Sequence, residues 1–228
     1  MSAPKFSPSL MCLDIMNAGE QIKALNSWCD YMHVDVMDGH FAPNLTLSPD
    51  FIKAASKYAT VPLEVHMMCE KPAMWVEPVV SAGAKIVSLH AETIGNDAFR
   101  QYNWLRDHGV KCGAVLNPAT PFNTVTSYLE RMDLVTLMTV DVGFAGQPFI
   151  EEMLPKIEEA AEYKRNHGLS YEVQIDGSCN QKTFKRLRDA GAEIFILGTS
   201  GLFGKDPDVN KAWQMMQSEY EAATSETL

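Results

Sequence analysis

Long apolar runs are missing from this chain: nowhere does it carry the roughly 18 consecutive apolar residues that a membrane-spanning helix requires, so no membrane partner is expected. The first residues, Met1-Ser2-Ala3-Pro4-Lys5-Phe6, also lack the apolar stretch of a secretory signal, and the expected location is cytoplasmic. The five cysteines are scattered with no Cys-x-x-Cys spacing, which argues against a disulfide framework and against a thiolate zinc knuckle. Positive charge is scarce: 19 lysines and arginines stand against 29 acidic residues, a net charge of −10. That balance argues against nucleic acid as the main partner. It leaves anionic small molecules open, because a nest of backbone amides binds phosphate on an acidic protein too. No Gly-x-Gly-x-x-Gly turn follows the first apolar run, so nothing supports a dinucleotide fold.

What is present is an ordinary globular balance, 46% hydrophobic and 21% charged, in 228 residues. That length suits one domain, 1–228. Short apolar runs alternate with longer amphipathic ones throughout. The short runs predict strands over 5–11, 31–37, 63–68, 85–89, 111–116, 134–140, 171–176 and 193–197. The longer ones predict helices over 18–28, 49–58, 72–82, 97–108, 121–130, 150–165, 181–190 and 208–223. Gly83, Gly109, Gly168 and Gly191 stand where such helices stop. Eight strand-then-helix units fit a doubly wound sheet or a (β/α)8 TIM barrel. Number and length favour the α/β barrel, whose active site lies at the carboxyl ends of its strands.

The run Tyr31-Met32-His33-Val34-Asp35-Val36-Met37-Asp38-Gly39 is a strand that ends in chemistry. Side chains alternate along a strand, so His33, Asp35 and Met37 share one face. A buried strand avoids unpaired charge, and an imidazole two residues from a carboxylate can share one metal ion with it. His66 lies near the end of the third predicted strand and Asp176 ends the seventh. His33, Asp35, His66 and Asp176 would then meet at one level of the barrel mouth, a borderline N/O donor set suited to one divalent ion per chain: zinc, iron(II), manganese or cobalt(II). Met37, Met68 and Met138 are expected on the inward faces of their strands, as an apolar collar around the ion and the bound molecule.

A second constellation is rich in glycine. Asp141-Val142-Gly143-Phe144-Ala145-Gly146-Gln147 follows the sixth predicted strand, Gly177-Ser178 the seventh and Gly198-Thr199-Ser200-Gly201 the eighth. Loops after the last strands of a barrel commonly bind phosphate through backbone amides. Asp38, so close to Asp35, is expected to serve a turn. His90 is expected behind a ligand, and His40, His108 and His167 at the surface.

Ser7-Pro8-Ser9-Leu10, His33 through Asn44, Val65-His66-Met67-Met68, Gly143 through Gln147 and Asp176-Gly177 resemble, in matching order, the ribulose-phosphate 3-epimerase family, over nearly the whole chain. Thr46-Leu47-Ser48-Pro49, Asp176-Gly177-Ser178-Cys179-Asn180-Gln181 and Gly198 through Phe203 resemble most the branch acting on D-allulose 6-phosphate. The pentose enzymes usually carry another glycine at Ser178, and the family usually carries proline at Val142, which puts the rigidity of that loop in doubt. The resemblance implies a ribulose-phosphate-binding barrel and a homo-oligomer. It implies His33, Asp35, His66 and Asp176 as metal ligands, with Asp35 and Asp176 as the acid–base pair. Ser9, near the metal, and His66 would touch the sugar phosphate. Gly143, Phe144, Ala145, Gly146, Gly177, Ser178, Gly198, Thr199 and Ser200 would line its site.

Inverting C3 of a 2-ketose removes a proton beside the C2 carbonyl and returns one to the other face, so two carboxylates flanking a metal-stabilised enediolate suit the reaction. The expected reaction is D-allulose 6-phosphate to D-fructose 6-phosphate, with D-ribulose 5-phosphate to D-xylulose 5-phosphate as the alternative. A nucleotide-type decarboxylase would need an Asp-x-Lys-x-x-Asp at a strand end, which the chain lacks. An inactive sugar-phosphate sensor would need a broken ligand set, and this one is complete.

Overall fold

The computed structural model describes residues 3–228; Met1 and Ser2, the start of the N-terminal run considered above, lie outside the described residues. Eight parallel strands form the barrel: β1 (Lys5–Pro8), β2 (Met32–Met37), β3 (Leu63–Met68), β4 (Ile86–His90), β5 (Lys111–Leu116), β6 (Leu134–Met138), β7 (Glu172–Asp176) and β8 (Ile194–Leu197). Their hydrogen-bonded order is β1-β8-β7-β6-β5-β4-β3-β2. The ring closes through a parallel bridge between Ser9 and His33. Around it pack α1 (Ala18–Leu25), α2 (Pro49–Ala55), α3 (Val76–Ala82), α4 (Ala91–Ile94), α5 (Ala98–Asp107), α6 (Met153–His167), α7 (Phe184–Ala190) and α8 (Val209–Thr224). Among the described residues, no helix is long and apolar enough to cross a membrane.

Local chemistry sets these boundaries. Ser48 caps α2, accepting from the Phe51 N–H, and Pro49 takes the first helical position, where its missing N–H has no partner to lose. Gly83, Gly168 and Gly191 cap α3, α6 and α7 with φ of 123°, 63° and 109°. The predicted strand 5–11 overruns: β1 ends at Pro8 and the chain turns into a 3-10 helix over Leu10–Cys12, with the Cys12 N–H donating to the Ser9 carbonyl. The predicted helix 121–130 is a 3-10 helix, Phe122–Arg131. Its Asn, Ser and Thr residues compete for backbone partners, and Thr126 Oγ1 donates to the Asn123 carbonyl. The predicted helix 72–82 divides into a 3-10 turn, Pro72–Met74, and α3. Helix α4 was not foreseen, nor was the π-helical turn Thr199–Phe203 after β8.

The core lies between barrel and helices. Phe6 of β1 meets Phe195 of β8 and the edge of Tyr220 in α8, with ring centroids 5.9 and 5.2 Å apart. These contacts bury α8 over the β1–β8 pair and hold Ser9 at the mouth.

Candidate active site

β2 and β3 pair with Asp35 opposite His66 and Met37 opposite Met68, and every residue of both strands is buried. His33, Asp35, His66 and Asp176 each offer one atom to a cluster whose donors all lie within 4.8 Å of one another. His33 Nε2 is 3.2 Å from Asp35 Oδ1 and 3.7 Å from Asp176 Oδ2; His66 Nδ1 is 3.3 and 3.4 Å from the same two oxygens. Asp35 Oδ2 accepts from Ser9 Oγ at 2.5 Å, and the Asp35 carbonyl accepts from Thr46 Oγ1 at 2.6 Å. β2, β3 and β7 thus bring the four residues together.

The electrostatics of the cluster are those of a cation site. Burial disfavours a charge on His33, yet the Asp35 and Glu64 carboxylates hold its pKa well above the usual imidazole value. Burial opposes a charged His66 as well, and hydrogen bonds that its charged form donates to Asp176 and Asp35 raise its pKa. Burial likewise opposes an ionised Asp35, and His33 and His66 overcome it, holding the carboxyl far below its ordinary range. Two carboxylates and two imidazole lone pairs enclosed this way are balanced either by protons on the rings or by a divalent ion, and the donor set fits such an ion.

Both imidazoles are braced from behind. His33 Nδ1 lies 2.9 Å from Glu64 Oε2, and Glu64 also accepts from Ser88 Oγ at 2.7 Å and Gln174 Nε2 at 2.8 Å. Burial pushes against an ionised Glu64, but His33, Ser88 and Gln174 lower its pKa. A Cβ on Gly113 would collide with Ser88 Oγ, so glycine at that point of β5 leaves the hydroxyl its place. His66 Nε2 lies 2.8 Å from His90 Nε2, whose Nδ1 is 3.0 Å from Glu92 Oε2. Glu64, Ser88, Gln174 and Glu92 escaped the sequence reading. Glu64 was readable by the rule that singled out Asp35, being a charge on the inward face of a buried strand two residues from His66.

A cleft opens outside the cluster, between the strand ends and the glycine loops. Its wall contains Asp35, Asp176, Ser9, the three collar methionines Met37, Met68 and Met138, and all the glycine-loop residues named above from Gly143 to Gly146, Gly177, Ser178 and Gly198 to Ser200. His33 and His66 are fully buried behind that wall, so His66 is not exposed in the cleft. Cys179 lines it too, and Met11 and Cys12 do so without having been expected there; burial pushes both thiols up, away from the reactive thiolate. Among the described residues, no lysine or arginine lines the cleft.

The glycine loops run through backbone conformations that favour glycine. Gly143, Gly146 and Gly177 have φ of 122°, 83° and 118°, and a Cβ on Gly177 would come within 2.8 Å of Val140. Ser178 holds a left-handed φ of 49° without being glycine. Its Oγ donates to the Gln147 carbonyl at 2.5 Å, while Gln147 Nε2 donates to the carbonyls of Asp141 and Phe144. Asn44 Nδ2 donates to the Gly143 carbonyl, and Val142 packs against Met37, Ala42 and Met68. The loop is thereby tied down without the family's usual proline. Asp38 is occupied by the backbone N–H groups of His40, Phe41 and Glu70. His40, His108 and His167 are exposed.

Fold and mouth together define an enzyme of the (β/α)8 class, with its working surface at the carboxyl ends of the strands. The sequence model of the Ribulose-phosphate 3 epimerase family matches residues 5–203, and the chain belongs to that family. It is an isomerase of the epimerase class, as its relatives are named. Ribulose-phosphate 3-epimerase of Bacillus subtilis (strain 168) is 37% identical over 203 residues, covering 88% of this chain and 93% of that one. The protein of the same name from Escherichia coli (strain K12) is 33% identical over 222 residues, covering 96% and 97%. Among solved structures, 3-hexulose-6-phosphate synthase superimposes with a TM-score of 0.67 at 15% identity, covering 96% of this chain and 99% of that one. Orotidine 5'-phosphate decarboxylase from Pyrococcus horikoshii OT3 gives 0.66 at 14%, covering 95% and 99%. At such identities these two show the shared barrel alone.

Proposed function

We propose that the chain inverts C3 of a ketose phosphate, D-allulose 6-phosphate to D-fructose 6-phosphate, as one 1–228 barrel domain with one divalent ion. The observation that carries the epimerase reading is the pair Asp35 and Asp176. They reach one cleft from β2 and β7, each with one carboxylate oxygen turned into the donor cluster. One carboxylate takes the C3 proton on one face of the sugar and the other returns a proton on the opposite face. Ser9 orients Asp35 through its hydroxyl. His33, Asp35, His66 and Asp176 would hold the ion, which when bound supplies Lewis-acid stabilisation of the negative charge that develops at C2 and C3. Met37, Met68 and Met138 keep water from that charge. With no cationic side chain in the wall, the phosphate is left to the backbone amides and hydroxyls of Gly177, Ser178 and Gly198 to Ser200.

The support for the six-carbon substrate is the resemblance at Ser178, where the pentose enzymes usually carry glycine. A left-handed φ at a non-glycine residue is strained by about 1–3 kcal/mol, and here it is kept with the hydroxyl bonded to Gln147. The relatives' names favour D-ribulose 5-phosphate as the second reading. Purified protein with a controlled divalent ion, assayed in parallel on both compounds, decides between them. The expected result is a higher kcat/KM on D-allulose 6-phosphate. A higher value on D-ribulose 5-phosphate transfers the assignment to the pentose, and binding of both without turnover of either makes the chain a sensor.

A further inference from the structure

We infer that Glu92, which touches neither the cleft nor the donor cluster, is a positioning residue for His66: through His90 it dictates which ring nitrogen of His66 is free to face the cluster. The inference rests on reading His33, Asp35, His66 and Asp176 as a metal site.

An ionised carboxylate only accepts hydrogen bonds. Glu92 is surrounded by donors: Oε1 accepts from the Asn117 N–H at 2.9 Å and from the Thr120 hydroxyl, and Oε2 faces His90 Nδ1 at 3.0 Å. Burial opposes its charge, but His90, Thr120 and the Asn117 N–H bring its pKa down to about 2. Lys156 Nζ pins the turn that presents those donors, reaching the carbonyls of Asn117, Pro118 and Thr120 at 3.1, 2.6 and 2.7 Å. His90 Nδ1 must therefore carry hydrogen. The two facing Nε2 atoms of His90 and His66 have room for one proton between them, and a His66 that gives its Nδ1 lone pair to an ion must hold that proton itself, which leaves His90 Nε2 bare. Across 2.8 Å stands His66 Nε2, which must be the donor of that pair. The proton of His66 is then on Nε2, and Nδ1 points its lone pair at Asp35, Asp176 and His33 Nε2. His33 reaches the same condition in one step, since Glu64 at its Nδ1 leaves Nε2 for the cluster. Each imidazole thus ends in a carboxylate, one directly and one through a second histidine.

E92Q tests the relay because it keeps size and removes only acceptor capacity. The Asn117 N–H can only donate, so the amide oxygen turns to it and the amide NH2 meets His90 Nδ1. That demands a bare Nδ1, moves the His90 proton to Nε2, and drives the His66 proton onto Nδ1, into the cluster. With Zn(II) alone as the probe, competition against a chelating dye is expected to show affinity about 10- to 100-fold weaker than the unaltered chain. Histidine 15N shifts of the zinc-free proteins are expected to show His90 as Nδ1–H in the unaltered chain and as Nε2–H in E92Q. T120V is the control: it removes one donor from the same carboxylate but leaves an acceptor at His90, and its affinity is expected to stay within about twofold, as for one exposed hydrogen bond. Unchanged zinc affinity in E92Q, or an equal loss in T120V, overturns the relay. Absence of zinc uptake by the unaltered chain overturns the metal reading beneath it.

Discussion

The β2–β3 side of the mouth and the β6–β8 side are built on opposite plans. On the first, the backbone is regular strand, buried at every position, and the chemistry is carried by side chains. On the second, the backbone itself is irregular, with left-handed φ at Gly143, Gly146, Gly177 and Ser178, and Phe144 is 52% exposed. Charged donors gathered in a dry place need a rigid frame and a partner behind each of them, which a strand in a barrel provides. A backbone that approaches an anion needs room where a Cβ would stand, which glycine provides. The difference predicts that substitutions on the first side strike metal and chemistry, and on the second side substrate affinity.

The sharpest way to break that comparison is Asp176→Asn, because Asp176 sits on β7 yet belongs to the donor cluster. Asn keeps the size and one oxygen. Net epimerisation is expected to fall by about 100- to 10,000-fold, the range for loss of a positioned acid or base. In deuterated water the variant should still exchange the C3 proton of one epimer through Asp35. Full epimerase activity would dismantle the carboxylate pair. Next comes His66→Ala, where both bound ion and turnover are expected to fall by more than about 100-fold, beyond the effect of an outer-shell partner. Elemental analysis still finding one ion per chain in an active variant would remove His66 from the metal site.

On the glycine side, Gly198→Val is the clean probe. Gly198 has a φ of −94°, and a Cβ there meets only Cys12 Sγ at 3.6 Å, an ordinary contact, so the backbone accepts a side chain at this point. Its KM for the sugar phosphate is expected to rise about tenfold, the loss of one hydrogen bond to a charged group, with metal content unchanged. A normal KM would move the phosphate elsewhere. Ser178→Gly should have the smallest effect: relief of the left-handed strain and loss of the bond to Gln147 offset one another, leaving stability within about 1 kcal/mol. Thermal unfolding checks that balance, and an unfolding shift well beyond it would mean Ser178 holds more of the loop than Gln147.

Much of the site was legible because strand alternation is a strong rule. It put His33, Asp35 and Met37 on one face, and β3 and β5 appear at their predicted boundaries, 63–68 and 111–116. Helix ends with a glycine stop were legible for the same reason of local sterics. The 3-10 turns at Leu10–Cys12 and Phe122–Arg131 were not, since their tightening depends on which backbone groups find partners after packing.

The sequence by itself determined the eight-unit alternation and the residue types gathered at the strand ends, which follow from periodicity and spacing along one chain, and it carried the motifs that resemble the family's. The tertiary structure alone decided that His66 turns Nδ1 rather than Nε2 to the cluster and that His66 and His33 are sealed behind the cleft. It also decided that Glu92 stands at the far end of the contacts that run from His66 through His90. Those facts depend on the register of β3 against β4 and on a turn some 25 residues further along that donates to Glu92. Hydrogen bonds between strands specify ring orientation only when both partners are in place.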